Sequence, residues 1–186
     1  AESTTSFRNG VSATHNRRSD ERWGHSGYDT IMRPRNEPTA SRLELIRRTS
    51  AELPEDVVRA VRAGRAAEAA GSNAAYAFQV IDDNIGLACA KSSPLCQDTG
   101  SILVYVHTPV GYDQLAFAEA MIAAVRQATA KGYLRQNSVD AVTGKNSGDN
   151  IGPGTPDLHF HQWRKDHVEV KLMLKGGGCE NVGATY

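Results

Sequence analysis

Four adjoining residues, Cys96-Gln97-Asp98-Thr99, offer a thiol, an amide, a carboxylate and a hydroxyl, with Pro94-Leu95 ahead of them and Gly100 behind. A thiolate is a soft ligand for transition metals. A carboxylate can take or give a proton. Ionised Asp only accepts hydrogen bonds, whereas the Gln amide both donates and accepts. The helical pattern upstream fades at Ala90-Lys91, and an extended apolar run begins at Ser101. The stretch therefore reads as a helix-to-strand loop, where a rigid scaffold can aim polar groups at a ligand. The plainer reading is a turn holding one buried free cysteine, because free cysteines are among the most buried residues.

Other segments carry chemistry of their own. Arg135, in Tyr133-Leu134-Arg135-Gln136-Asn137-Ser138, follows a long helical pattern. An arginine there can grip a carboxylate through two parallel hydrogen bonds, as lysine cannot; a solvated surface cation is the plain alternative. Thr143 to Pro156 is dense in Gly, Asn, Ser and Asp and must be loop. Lys175-Gly176-Gly177-Gly178-Cys179-Glu180-Asn181 has glycines that let the backbone approach a ligand, and successive N–H groups there can cradle an anion. Its spacing is not that of a nucleotide phosphate loop. His159 and His161 alternate with Leu158 and Phe160, so they share one strand face; with Cys179 they form a candidate zinc set. His107, ending the apolar run, reads as a satisfied structural histidine, and Cys89 as a small residue near a helix end.

The elements that must position these groups are legible from periodicity. Residues 1–40 lack it and read as a disordered extension, leaving 41–186 as the folded part. Ser41 to Thr49 reads as a short helix. A second helix opens at Pro54 with Glu55 and Asp56 in its first turn and ends near Gly71. A third is capped by Ser72, with Ala75, Phe78, Ile81, Ile85 and Ala88 as its apolar face. Ser101 to His107 is a strand apolar on both faces. Tyr112 to Lys131 is the clearest helix, with Leu115, Ala118, Ile122, Val125 and Ala128 as its stripe and Gly132 just past its end. Asp157 to Trp163 and His167 to Leu174 read as a hairpin. The class is mixed α/β: a helical N-terminal half, then a mixed sheet with one long helix.

Lys plus Arg and Asp plus Glu both number 21, so net charge is zero and supplies no electrostatic case for nucleic acid or a membrane surface. No apolar run approaches the ~20 residues that span a bilayer. Three cysteines, Cys89, Cys96 and Cys179, make an odd number, and no secretory signal pattern is present. Both favour a reducing, cytoplasmic setting and metal or catalytic use over a disulfide framework.

Pro94-Leu95-Cys96-Gln97-Asp98-Thr99-Gly100 resembles the Cys-Gln-Asp-Thr-Gly signature of the iron–sulfur hydro-lyases, which comprise class I fumarate hydratases and L-tartrate dehydratases, in their alpha-type catalytic domain or subunit. Leu53-Pro54-Glu55-Asp56-Val57, Gly144-Lys145-Asn146-Ser147-Gly148-Asp149-Asn150 and the Lys175 to Asn181 glycine run agree with it in order, and the likeness extends from Arg42 to Tyr186. The resemblance implies reversible hydration of a small dicarboxylate, fumarate to malate first and tartrate second. It implies a 4Fe-4S cluster held by three cysteines, Cys96 among them, whose open iron acts as a Lewis acid. Gln97 and Arg135 would bind substrate, the Gly177 and Gly178 backbone would line the pocket, and Asp98 would sit at the metal-side hydroxyl or transfer a proton. Cys179 is a doubtful ligand, since family members often carry serine there. The other cluster cysteines and a beta-type domain or subunit belong to segments that this chain does not contain. The 186 residues are therefore expected to be incomplete and inactive alone, within a homodimer or hetero-oligomer. A non-catalytic domain that keeps the fold, or a zinc protein, stands as the alternative.

Overall fold

The apolar run after Gly100 becomes an inner strand of a mixed sheet. The computed structural model describes residues 4–6, 12–14, 28–32, 39–96 and 98–176. In chain order the elements are β1 (Thr4–Ser6), β2 (Ser12–Thr14), β3 (Tyr28–Met32), α1 (Thr39–Ala51), α2 (Glu55–Ala67), α3 (Asn73–Lys91), β4 (Ser101–Pro109), α4 (Gln114–Ala130), β5 (Asp157–Trp163) and β6 (Val168–Lys175). The sheet order is β1-β2-β3-β6-β4-β5. The fold is mixed α/β, as the sequence implies. Within the segment read as a disordered extension, three short strands add to the sheet, β3 pairing antiparallel with β6 from Tyr28↔Leu172 to Met32↔Val168. Backbone hydrogen bonding to a free strand edge needs no apolar period, which is why composition does not announce it.

Strand order departs from the expected hairpin. β5 and β6 are not neighbours; β4 lies between them, parallel to β5 and antiparallel to β6. The physical reason lies in β4. Its Ile102, Val104, Val106 and Thr108 are buried and the alternate residues half-buried, so it takes a place with a partner on each edge. The Arg164–His167 connection crosses the C-terminal end of β4. It is pinned where the Trp163 indole N–H donates to the His167 carbonyl at 2.8 Å and Lys165 stands 4.2 Å over the Trp163 ring. The parallel β4/β5 pair requires a long crossover, and α4 provides it.

Helices α1 and α4 cover one sheet face. The core joins Leu45 and Ile46 of α1, Ile102, Val104 and Val106 of β4, Phe117, Met121, Ala124, Val125 and Ala128 of α4, and Val168, Val170 and Leu172 of β6. The α4 stripe is rotated from the expected one: Leu115 is 79% exposed, while Phe117 and Met121 are buried. Phe117 sets the rotation. Arg42 lies 4.7 Å over its ring, and Phe160 and Tyr112 meet it edge-on. Asp113 caps α4 by accepting the Ala116 N–H, and Gly132 follows its end at φ 75°.

α2 and α3 form a helical pair beside this core. Glu55 and Asp56 lie in the first turn of α2, as expected; the helix stops at Ala67, ahead of Gly71. Ser72 caps α3 as expected, its hydroxyl accepting the Ala75 N–H at 3.0 Å. Of the expected α3 face only Ile85 and Ala88 are buried, Phe78 packs toward Gly64, and Ile81 is half exposed. Asp82 holds the pair through Arg62 and Arg65. Among the described residues no helix is long and apolar enough to cross a membrane.

The rotated stripe fixes an expected outcome. Phe117→Ala lowers the unfolding free energy by about 3–5 kcal/mol, whereas Leu115→Ala changes it by less than about 0.5 kcal/mol, measured by urea denaturation. Equal losses would return the stripe to the periodicity reading.

Candidate functional site

The loop that carries Cys96 starts where α3 ends. Ser92 takes a left-handed φ of 50°, and the Ser92 and Ser93 N–H groups return to the Cys89 and Ala88 carbonyls. Leu95, next to Cys96, is held at both peptide groups: its N–H donates to the Ser50 carbonyl at 2.9 Å, and its carbonyl accepts from Asn84 Nδ2 at 3.0 Å. Cys96 is thereby presented as an exposed thiol whose Sγ accepts the Asp98 N–H at 3.5 Å. The buried-cysteine reading of this loop is excluded by that exposure. Cys89 lies in the last turn of α3, near the helix end as read, and is exposed.

Thr99 joins this loop to the one carrying Arg135. It is 3% exposed; its Oγ1 accepts the Arg135 N–H at 2.7 Å, and its own N–H donates to Asn137 Oδ1 at 3.3 Å. Ser50 makes the same connection from the far side, since its hydroxyl donates to the Tyr133 carbonyl at 2.6 Å while its carbonyl holds Leu95. The Arg135 side chain itself is exposed, open to an anionic ligand.

The Gly-rich loop braces the Arg135 segment from below. Asn150, buried and at a φ of 60°, accepts from the N–H groups of Asn137 and Ser138 and donates to the Arg135 carbonyl and Thr129 Oγ1. Beside it, the Ile151 N–H and then the Arg126 guanidinium hold the Asp149 carboxyl below its usual range. The loop tip closes on Asp140, whose carboxyl is also lowered, by the Thr143 N–H first, then the Thr143 hydroxyl and the Val142 N–H. The sequence marks this segment only as loop; an Asn ahead of a turn, tolerant of left-handed backbone, is the one signal that could have singled out Asn150.

The start of β4 meets the end of β6, Ser101 opposite Lys175. Gly100 has a φ of 63°, and a Cβ on it would stand 1.9 Å from the Lys175 carbonyl oxygen. A Cβ on Gly176 would stand 3.2 Å from Asp98 Oδ2. The two glycines let the Asp98 carboxylate sit directly on the opening of the glycine run. The structure thus brings Cys96, Asp98, Arg135 and Gly176 to one end of the sheet; Gln97, Gly177, Gly178 and Cys179 lie outside the described residues.

The histidines serve elsewhere. Tyr105 stacks on His159 at 4.8 Å and His107 on His161 at 5.4 Å, across the β4/β5 pair on the face away from α1 and α4. His159 Nε2 pairs with Asp157 at 3.0 Å. Among the described residues no group of three or more His, Cys, Asp or Glu could hold a metal ion. His107 is not the satisfied histidine that its position suggested: its Nδ1 is buried with no hydrogen-bond partner among the described residues, and burial pushes its pKa down. An iron–sulfur cluster has a different demand. The described cysteines are Cys89 and Cys96, both exposed, fewer than the three that the resemblance implies for a cluster; the Cys96 thiol, on a pinned loop with the Asp98 N–H on its sulfur, suits a metal ligand.

Comparison with known proteins gives the family. The family model described as fumarate hydratase (fumerase) matches residues 39–186. The chain is 47% identical over 146 residues to "Putative fumarate hydratase class I" of Geobacillus stearothermophilus, across 78% of this chain and 28% of that protein. It is 31% identical over 135 residues to L(+)-tartrate dehydratase subunit alpha of Escherichia coli (strain K12), across 70% of this chain and 43% of that subunit. Both names denote hydro-lyases, enzymes that add or remove water at a carbon–carbon double bond. The chain belongs to the fumarate hydratase family, and it spans less than half the length of either of these curated relatives.

Two outcomes follow from the geometry. Gly100 and Gly144 both have positive φ, but only Gly100 abuts backbone. Gly144→Ala should cost about 1–2 kcal/mol of stability, and Gly100→Ala about 1–3 kcal/mol more; equal losses in urea denaturation would deny the close approach. For His107 the folded pKa lies below its ordinary value, so its contribution is present above that value and is lost as pH falls through the lowered one. Glu169 opposes the shift, while His161, Lys171 and Lys165 reinforce it. The melting temperature should fall as pH drops below the ordinary histidine range, and His107→Gln should flatten the fall. An unchanged slope in the variant would place the cause elsewhere.

Proposed function

We propose that this chain supplies the first part of a hydro-lyase site that adds water to, or removes it from, a small dicarboxylate, with fumarate and malate as the leading pair and tartrate as the second. The observation that carries the reading is the double latch at Thr99, which holds the Cys96 loop against the Arg135 loop. A metal-ligating thiol and a carboxylate-binding guanidinium are thereby built on one fixed frame. Family membership supports the reaction class.

In this reading Cys96 is a ligand of a 4Fe-4S cluster, and the Asp98 N–H on its sulfur orients it. The cluster, when bound, supplies a Lewis acid for the substrate hydroxyl. Arg135 grips one substrate carboxylate through paired hydrogen bonds. Asp98, set against Gly176, holds or moves a proton at that hydroxyl. Gln97 and the Gly177 and Gly178 backbone complete the contacts to the diacid. A beta-type domain or subunit provides the remaining acid–base and carboxylate-binding groups. Residues 1–186 alone therefore bind the diacid weakly and do not turn it over.

Two measurements test this. Anaerobic reconstitution of the whole protein with iron and sulfide should give a cluster that Cys96→Ser loses or halves in iron content; full loading of that variant would remove Cys96 from the ligand set. In the loaded enzyme, Arg135→Lys should raise KM for the diacid about tenfold or more, since a lysine cannot reproduce the paired contact. An unchanged KM would remove Arg135 from the site.

A further inference from the structure

We propose that Asn150 is the positioning residue of this site: it fixes the backbone from which Arg135 reaches the substrate carboxylate. The inference rests on the reading of Arg135 as the carboxylate-binding group. Arg135 is clamped at both of its peptide groups. Its N–H is taken by Thr99 Oγ1 at 2.7 Å, and its carbonyl by Asn150 Nδ2 at 2.7 Å. Its side chain, in contrast, is exposed.

Asn150 spends every hydrogen-bonding valence on this task. Its Oδ1 accepts from Asn137 at 2.9 Å and Ser138 at 3.2 Å, and its Nδ2 donates to Arg135 and, at 3.1 Å, to Thr129 Oγ1. Two acceptor and two donor contacts are the full capacity of the amide. Thr129 in turn donates to the Val125 carbonyl at 2.9 Å, inside the last turns of α4, so the frame reaches the rigid helix. Asn150 is 2% exposed, beyond reach of a ligand itself, and holds a φ of 60°. A non-glycine residue kept in that conformation, with all four contacts made, is over-determined by its surroundings. The nearest substitutes fail the set: Asp lacks the donors and would set an oxygen against the Arg135 carbonyl, while Gly accepts the backbone angle but makes none of the contacts.

The test is a double-mutant cycle in the whole, cluster-loaded enzyme. Asn150→Gly keeps the backbone unstrained and removes the clamp. It should raise KM for the diacid about tenfold with kcat changed less than about threefold. It should weaken binding of succinate, a saturated four-carbon diacid, by a similar factor in calorimetry. In an Arg135→Ala background the same change should alter both by less than about twofold. A purely structural role would lower the active fraction and the melting temperature and leave KM and the succinate Kd unmoved. Thr129→Val is the milder companion should Asn150→Gly fail to fold; it removes one of the four contacts and should raise KM about two- to threefold.

Fully multiplicative effects of Asn150→Gly and Arg135→Ala, or an unchanged KM in the Asn150 and Thr129 variants beside a raised one in Arg135→Ala, would overturn the positioning role while leaving the carboxylate role of Arg135 intact. An unchanged KM in Arg135→Ala itself would overturn the carboxylate reading, and the positioning role with it.

Discussion

The connection from Lys131 to Pro156 contains neither helix nor strand, yet it carries Arg135. Connections without regular structure longer than about 12–15 residues are uncommon in compact domains. Their peptide groups must find partners or remain in water. Here buried side chains provide those partners: Ser50, Thr99, Thr129 and Asn150 are each less than a tenth exposed. Each bonds backbone that the helices and strands leave unpaired. A buried polar group left without its partner costs about 1–3 kcal/mol, and Asn150 alone serves four such contacts. The loops around Cys96 and Arg135 therefore hold together as one unit.

That unit sits at the end of the sheet because of strand register. β4 and β6 are antiparallel, so the residue that opens one faces the residue that closes the other. The loop before β4 and the glycine run after β6 must then meet, although Asp98 and Gly176 lie far apart in sequence. Gly100 makes the approach possible, since any larger residue would collide with the Lys175 carbonyl. Glycine at this point is a steric requirement of the register, independent of the chemistry that the loops perform.

Much of the local structure is legible in the sequence because it depends on local rules. The Cys96 stretch lies between helical and extended patterns and is a loop. Ser72 caps a helix, Asp157 to Trp163 is a strand, and each follows from short-range preference. Three features are not legible, for three reasons. The phase of α4 depends on Phe117 meeting Arg42 and Phe160, contacts with distant segments that outweigh a stripe nearly as apolar one position round. The place of β4 between β5 and β6 depends on which strand can bury both faces, while the hairpin reading used only the short connection at Arg164 to His167. The role of Asn150 depends on four bonds to residues that sequence distance does not suggest. The residues named by chemistry, Cys96, Asp98, Thr99 and Arg135, were visible as candidates; Ser50 and Asn150, which hold their loops, were not, because a buried hydroxyl or amide in a polar segment looks like any surface one.

The two sheet faces divide the work. The face under α1 and α4 is closed by aliphatic side chains and Phe117, and it fixes the scaffold. The opposite face carries Tyr105, His107, His159, His161 and Trp163 in stacked pairs, with Asp157 against His159, and stays only half covered. Stacking holds those rings against one another, and His107 keeps a buried nitrogen within the array. A ring so placed resists protonation, so acid weakens this face, while the loops at the end of the sheet carry a different set of groups. There the lowered carboxyls of Asp140 and Asp149 stay charged to lower pH and keep their N–H partners. The framework of the loops themselves rests on the uncharged hydrogen bonds of Ser50, Thr99, Thr129 and Asn150.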